Sequence, residues 1–141
     1  MNSAGFSLLE LLVVLILLGF VATVAGPSVG HFMNSLAFKK QTGKIMAVIR
    51  YARLIAVTEG EPVRMQVADN ANSLSFSGAI QKDRDLGLGE DDKISFDPEI
   101  ITFSPAGHAT PATITFTMGE VTQQIIIDPL SGLPILKIDE D

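Results

Sequence analysis

The chain has no cysteine among its 141 residues, and its ten Lys and Arg are outnumbered by sixteen Asp and Glu, for a formal net charge of −6. The first absence excludes a disulfide framework and a thiol nucleophile, while leaving an oxidising exterior permitted as a setting. The second disfavours nucleic acid as a partner, because such binding rests on Lys and Arg neutralising phosphates. Catalytic signatures are missing too: there is no G-x-S-x-G elbow, no H-E-x-x-H and no phosphate-cradling glycine loop. Ser104 and His108 lie four residues apart, but nearness on a Pro-Gly turn is no sign of a triad. No enzymatic activity and no cofactor are expected. The opening MNSAG contains no Lys or Arg, so the charged start of a secretory signal peptide is also absent.

What the chain does have is an excess of apolar residues, 47% in all with a mean hydropathy of +0.36, concentrated before Pro27. Residues 6–26 are almost wholly apolar, and at 1.5 Å per residue a helix of that length covers about 30 Å, the thickness of a bilayer's hydrocarbon core. Within it stands one carboxylate, Glu10. A charge at the centre of a spanning helix costs roughly 2.5–3.5 kcal/mol on insertion scales, so such a residue asks for a function. The alternative is that Glu10 lies near the helix end and reaches the headgroups. A signal peptide cut near Ala22, Thr23 and Ala25, or a plain permanent anchor, leaves Glu10 unexplained. Orientation is ambiguous by counting of positive charges, since Lys39, Lys40 and Lys44 all follow the apolar stretch.

Gly26-Pro27 predicts a kink, because proline removes a backbone hydrogen bond and its ring crowds the preceding turn. Beyond it Phe32, Leu36, Ile45, Val48, Ile49, Ala52 and Ile55 recur at three- and four-residue steps, the pattern of an amphipathic helix. Lys39, Lys40, Lys44, Arg50 and Arg53 fall mostly off that stripe, so a solvated face is expected for them, with pairing to carboxylates as the alternative. A helix from Phe6 to about Thr58 would be roughly 80 Å long, and Glu59-Gly60-Glu61-Pro62 stops it. After Pro62 the period becomes two. Strands are expected over residues 63–67, 73–77, 94–96, 100–103, 113–117, 121–127 and 134–138, with turns at 69–72, 118–120 and 128–132. Strands that all follow one helix predict an α+β head with an antiparallel sheet. Residues 82–99 gather seven carboxylates, but the spacing fails as an EF-hand, Gly87 taking a ligand position; a solvated, flexible loop with no metal is expected.

Gly5-Phe6-Ser7-Leu8-Leu9-Glu10, followed at once by the apolar helix, resembles the processing site of type IV pilins and type II secretion pseudopilins. Ser7 stands where Thr is commoner, and the leader is short and without basic residues. The resemblance implies cleavage after Gly5 by the prepilin peptidase, N-methylation of Phe6, and pairing of Glu10 with the N-terminal amine of an adjacent subunit. An ammonium and a carboxylate in a low-dielectric setting attract strongly, and either left alone is costly. The pieces IRYARLIAV, ITFSPAGHA and QQIIIDPLSGLPIL together resemble the GspH/FimT class of minor pseudopilins and pilins, with Phe103, Pro105 and Gly107 matching a Phe-x-Pro-x-Gly turn.

The resemblance implies a pilin-like fold organised as a leader (1–5), a transmembrane and filament-core helix (6–30), an amphipathic continuation with the bend at Pro27 behind it (31–60), and a periplasmic β-rich head (61–141). It further implies a single-pass inner-membrane protein, a structural subunit of the pseudopilus, expected at its tip. Its partners would be the major pseudopilin, other minor pseudopilins and inner-membrane lipid. Two other readings remain open. One is a FimT-like minor type IV pilin in pilus assembly or DNA uptake, against which the acidic charge counts. The other is a signal-anchored periplasmic binding domain.

Overall fold

The computed structural model describes residues 5–137, and within the helix the side chains of residues 25–29 lie outside the described set. The leader expected at 1–5 is therefore described only at Gly5, and the end of the acidic tail, 138–141, lies outside the described residues. The described chain is one helix, α1 (Leu8–Glu59), followed by eight strands: β1 (Val63–Val67), β2 (Ser73–Gly78), β3 (Lys82–Asp85), β4 (Lys93–Asp97), β5 (Ile100–Phe103), β6 (Ala112–Met118), β7 (Val121–Ile127) and β8 (Pro134–Leu136). It divides into two units, Met1–Ala37 and Phe38–Asp141.

In the first unit every described helical side chain is exposed, among them Leu8, Leu15, Ile16, Leu17, Leu18 and Phe20, the last at 73%. A helix apolar all round is not a surface helix of a soluble domain, which carries one stripe. Among the described residues no helix is long and apolar enough to cross a membrane; the apolar stretch with described side chains ends at Val24. The helical assignment runs through Gly26-Pro27, whose side chains are among those outside the described set, so the expected bend is untested.

In the second unit the pattern narrows to the expected stripe. Ile45, Ile49, Ala52 and Ala56 are completely buried, while Gly43, Ala47, Arg50 and Leu54 on the other side are exposed. The stop signal works as read: the Gly60 N–H donates to the Ala56 carbonyl at 3.1 Å, and Pro62 leads the chain away. The strands form two four-stranded antiparallel sheets, ordered β3-β2-β1-β5 and β4-β6-β7-β8. Alternation sets which side chains face inward. Met65, Phe76, Ile101 and Phe103 come from the first sheet and Ile94, Phe116, Ile125 and Ile127 from the second, and all join the helix stripe in one core. Phe38 stacks on Phe116, ring centroids 5.4 Å apart.

Two expectations are corrected. Residues 82–99 are not one solvated loop, because Lys82–Asp85 pairs with β2, Lys93–Asp97 pairs with β6, and Leu86 and Leu88 between them are buried. β3 escapes a pattern search because all four of its side chains are charged and exposed, as suits a sheet edge. The last strand stops at Leu136, short of the expected 138.

Gly78 shows how tightly the head is closed. Its φ is +98°, and a Cβ there would lie 2.1 Å from the Pro62 carbonyl oxygen, which already accepts the Ala79 N–H at 3.0 Å. Gly119 has φ +60° but open space around it. Gly78→Ala is expected to cost at least about 2 kcal/mol, and Gly119→Ala about 1 kcal/mol, in urea unfolding of the detergent-solubilised chain. Equal costs would mean that strain alone, and not the clash with Pro62, fixes the glycine.

Candidate functional site

The expected N-terminal site residues fall where the helix begins. Gly5, Phe6 and Ser7 are non-helical, and the Ser7 carbonyl accepts the N–H groups of Glu10 at 3.0 Å and Leu11 at 3.1 Å. Ser7 is thus the first half-in residue, and Glu10 lies in the first turn. Ser-x-x-Glu is the sequence of a capping box, a signal the sequence reading passed over. A carboxylate there also stands at the positive end of the helix dipole. Phe6 is 73% exposed and Glu10 is exposed.

The second cluster is built by Arg53, which the sequence suggested as a solvated or carboxylate-pairing residue. It is instead half-buried and spends its donor on main chain: Nε donates to the Ser131 carbonyl at 2.5 Å and to the Gly107 carbonyl at 3.3 Å. Arg50 is exposed, as expected. Both turns under Arg53 are braced by themselves. In the first, Ser104 Oγ accepts the His108 N–H at 3.2 Å, and the Ser104 carbonyl accepts the Gly107 N–H at 2.9 Å. Ser104 and His108 therefore meet as a turn brace through the main-chain N–H of His108.

In the second turn the Asp128 carboxylate accepts from the Ser131 hydroxyl and from the N–H groups of Ser131 and Leu130. The Ala109 N–H reaches the Pro129 carbonyl at 3.0 Å and ties the two turns together. Space is as restrictive as bonding. A Cβ on Gly132 would lie 2.6 Å from the Gly107 oxygen and 3.1 Å from Arg53 Cδ, and one on Gly107 would meet Arg53 Nη2 at 2.9 Å. The three loosely matching pieces, at Arg53, at Gly107 and at Asp128 to Gly132, are one contact. Sequence reading saw the pieces and missed the partner; a glycine closing each of two proline turns was the available signal.

The helix uses the same device once more. Lys44 Nζ and Gln41 Nε2 both donate to the Leu86 carbonyl, at 2.6 and 2.7 Å, and hold the segment between β3 and β4.

A long N-terminal helix entered through Gly-Phe-x-x-x-Glu and continued into an antiparallel head defines a pilin-like α+β protein. The solved type IV minor pilin FimU of Pseudomonas aeruginosa has this fold. Its two crystal forms match with TM-scores of 0.61 and 0.56 at 18% and 19% identity, covering 76% and 71% of this chain and 92% of the pilin in each. The prokaryotic N-terminal methylation motif matches residues 1–26, and the family described as Type II transport protein GspH matches residues 41–131. The Type II secretion system protein H of Aeromonas hydrophila is 33% identical over 93 residues, which are 66% of this chain and half of that protein's length. The chain belongs to the GspH family.

Arg53→Ala is expected to cost about 1–2 kcal/mol, the value of a charged donor discounted for half exposure, with faster amide exchange at Gly107, Ala109 and Gly132. Arg53→Lys should recover less than half, since one ammonium does not reproduce the planar fork. Unchanged exchange in both turns would show that Arg53 only covers them.

Hydrogen bonds from Ser131, chiefly its hydroxyl, hold the Asp128 carboxyl below the ordinary carboxylate range. A depressed folded value means that its contribution is full above the unfolded value and is lost as pH falls through the folded one. Acid titration of wild type should therefore show a loss of stability below about pH 4 that is smaller in Asp128→Asn, and an identical acid limb in both would contradict that sign.

Proposed function

We propose that the chain is a minor pseudopilin of a type II secretion system, a structural subunit of the periplasmic pseudopilus positioned at its tip. The observation that carries this reading is the exposure of every described side chain of α1 up to Val24, with a single carboxylate in the first turn. An apolar surface of that extent requires lipid before assembly and neighbouring helices after it. The precursor is held in the inner membrane by this helix with its head in the periplasm, is cut after Gly5 by the prepilin peptidase, and is methylated at Phe6.

Glu10 then gives the helix its register. Unpaired in an apolar setting it is costly, and the N-terminal amine of an adjacent major or minor pseudopilin relieves that cost. Pro27 supplies the bend that fits the helix to its neighbours. The runner-up, a minor type IV pilin, is favoured by one observation, the fold shared with FimU. Retention of labelled DNA by cells that carry the chain, against cells that lack it, discriminates the two.

The deciding experiment is mass and N-terminal sequencing of the protein from membranes of cells that carry the prepilin peptidase. The expected chain begins at methylated Phe6; one that begins at Met1 or near Gly26 overturns the reading. Glu10→Leu should leave insertion and cleavage intact and reduce incorporation into sheared filaments at least tenfold. Wild-type incorporation of that variant would remove the docking role while leaving processing untouched.

A further inference from the structure

The head carries a cleft of about 430 Å³ that neither the N-terminal helix nor the Arg53 cluster explains. Its origin is topological. The last register pair of β1 with β5 is Gln66 with Ile100, whereas β1 continues to Val67, which pairs only with Leu74 of β2. Beyond Ile100 the chain leaves for the other sheet through Glu99 and Pro98, so the end of β1 has an open flank there. β4, the edge strand of the second sheet, closes the far side. The gap between two sheets thus stays unfilled where the connection from β4 to β5 crosses it.

The lining is split by chemistry. Its apolar lining comes from Val67, Ile94, Phe96 and Ile100; Ile94 and Phe96 belong to the core and are more than nine-tenths buried, whereas Ile100 is 46% exposed. The rim is polar and acidic, with the carboxylates of Asp69 and Glu99 beside Gln66 and Ser95. A volume of this size lies within the range of small-ligand sites, and it is open to solvent.

An anion is repelled by this rim, and a purely apolar group makes no use of its two exposed carboxylates. Among the described residues no three carboxylate or imidazole groups converge to hold a metal ion, so a bare divalent cation does not fit either. The matching shape is an apolar stem that ends in a positive charge, which is the side chain of Lys or Arg: methylenes lie on Ile94 and Phe96, and the head reaches the acids.

We propose that this cleft is a docking site for an extended peptide segment of a partner protein that inserts one basic side chain between Asp69 and Glu99. The flanking backbone of that segment lies along the open flank of Val67, and Ile100 contacts its neighbouring apolar residue. This goes beyond the anchoring and assembly reading above and stands without it, since it uses only the head.

The test is amide NMR of the ¹⁵N-labelled full chain in detergent micelles, titrated with the capped tripeptides acetyl-Val-Lys-Val-amide and acetyl-Val-Glu-Val-amide and with n-butylamine. The Lys peptide is expected to shift resonances of Gln66, Val67, Ser95 and Ile100, to bind at least tenfold more tightly than the Glu peptide, and to weaken as salt is raised. Asp69→Asn with Glu99→Gln should weaken it at least tenfold, and Ile100→Ser about threefold, with the rest of the spectrum unchanged. Equal binding of the Lys and Glu peptides, shifts confined to other surfaces, or an unaffected double variant would overturn the proposal. Binding of n-butylamine as tight as that of the Lys peptide would also overturn it, leaving a site for a free amine in its place. Either result leaves cleavage after Gly5 unaffected, so it does not bear on the pseudopilin reading.

Discussion

One helix carries two different surface patterns along its length, and this constraint governs the rest of the molecule. Up to Val24 its described side chains are exposed on all sides and almost all apolar; from Ile45 onward only one stripe is buried and the opposite side is open to water. A periodic stripe is what a sheet can cover, and an all-round apolar surface is what it cannot. The head therefore claims only the part of α1 that carries the stripe. The described side chains up to Val24 offer no such stripe.

Within the head the stripe would be a loose attachment if apolar contact were all that held it, because such contact has no direction. Arg53 and Lys44 supply direction. Both lie on the edges of the stripe, and both reach carbonyls of loops: Arg53 those of Gly107 and Ser131, and Lys44, with Gln41, that of Leu86. A carbonyl with two lone pairs in a turn needs such a donor, and a positive one is stronger than a neutral one. Loops on different sheets are thereby registered to one helix, which is a larger structural consequence than three surface salt bridges would bring.

The parts of this fold written into short stretches were legible in the sequence. The helix, its stop at Gly60 and Pro62, the hairpin of β6 and β7 and most strand positions follow from period and turn chemistry, which act over a few residues. The N-terminal methylation motif, which matches residues 1–26, was legible for the same reason, as its residues stand in one run. β3 was not, since Lys-Asp-Arg-Asp has no apolar alternation to show. The division into two sheets was hidden too, because β1 pairs with β5 and passes over β4, a choice made by long-range packing. Arg53 lies 54 residues from Gly107 and 78 from Ser131, and no local pattern announces a contact at that distance.

The same argument accounts for how charge is distributed in the head. Between residues 38 and 58 every charged side chain is basic, whereas carboxylates predominate in the strands and connections that follow. Lys44 and Arg53 are committed to carbonyls, and Lys39, Lys40 and Arg50 remain exposed beside Gly43, Ala47 and Leu54. The head thus carries its exposed basic side chains largely on the helix and most of its carboxylates in the strands and connections. Like surfaces of two such heads repel, while unlike ones attract within about a Debye length.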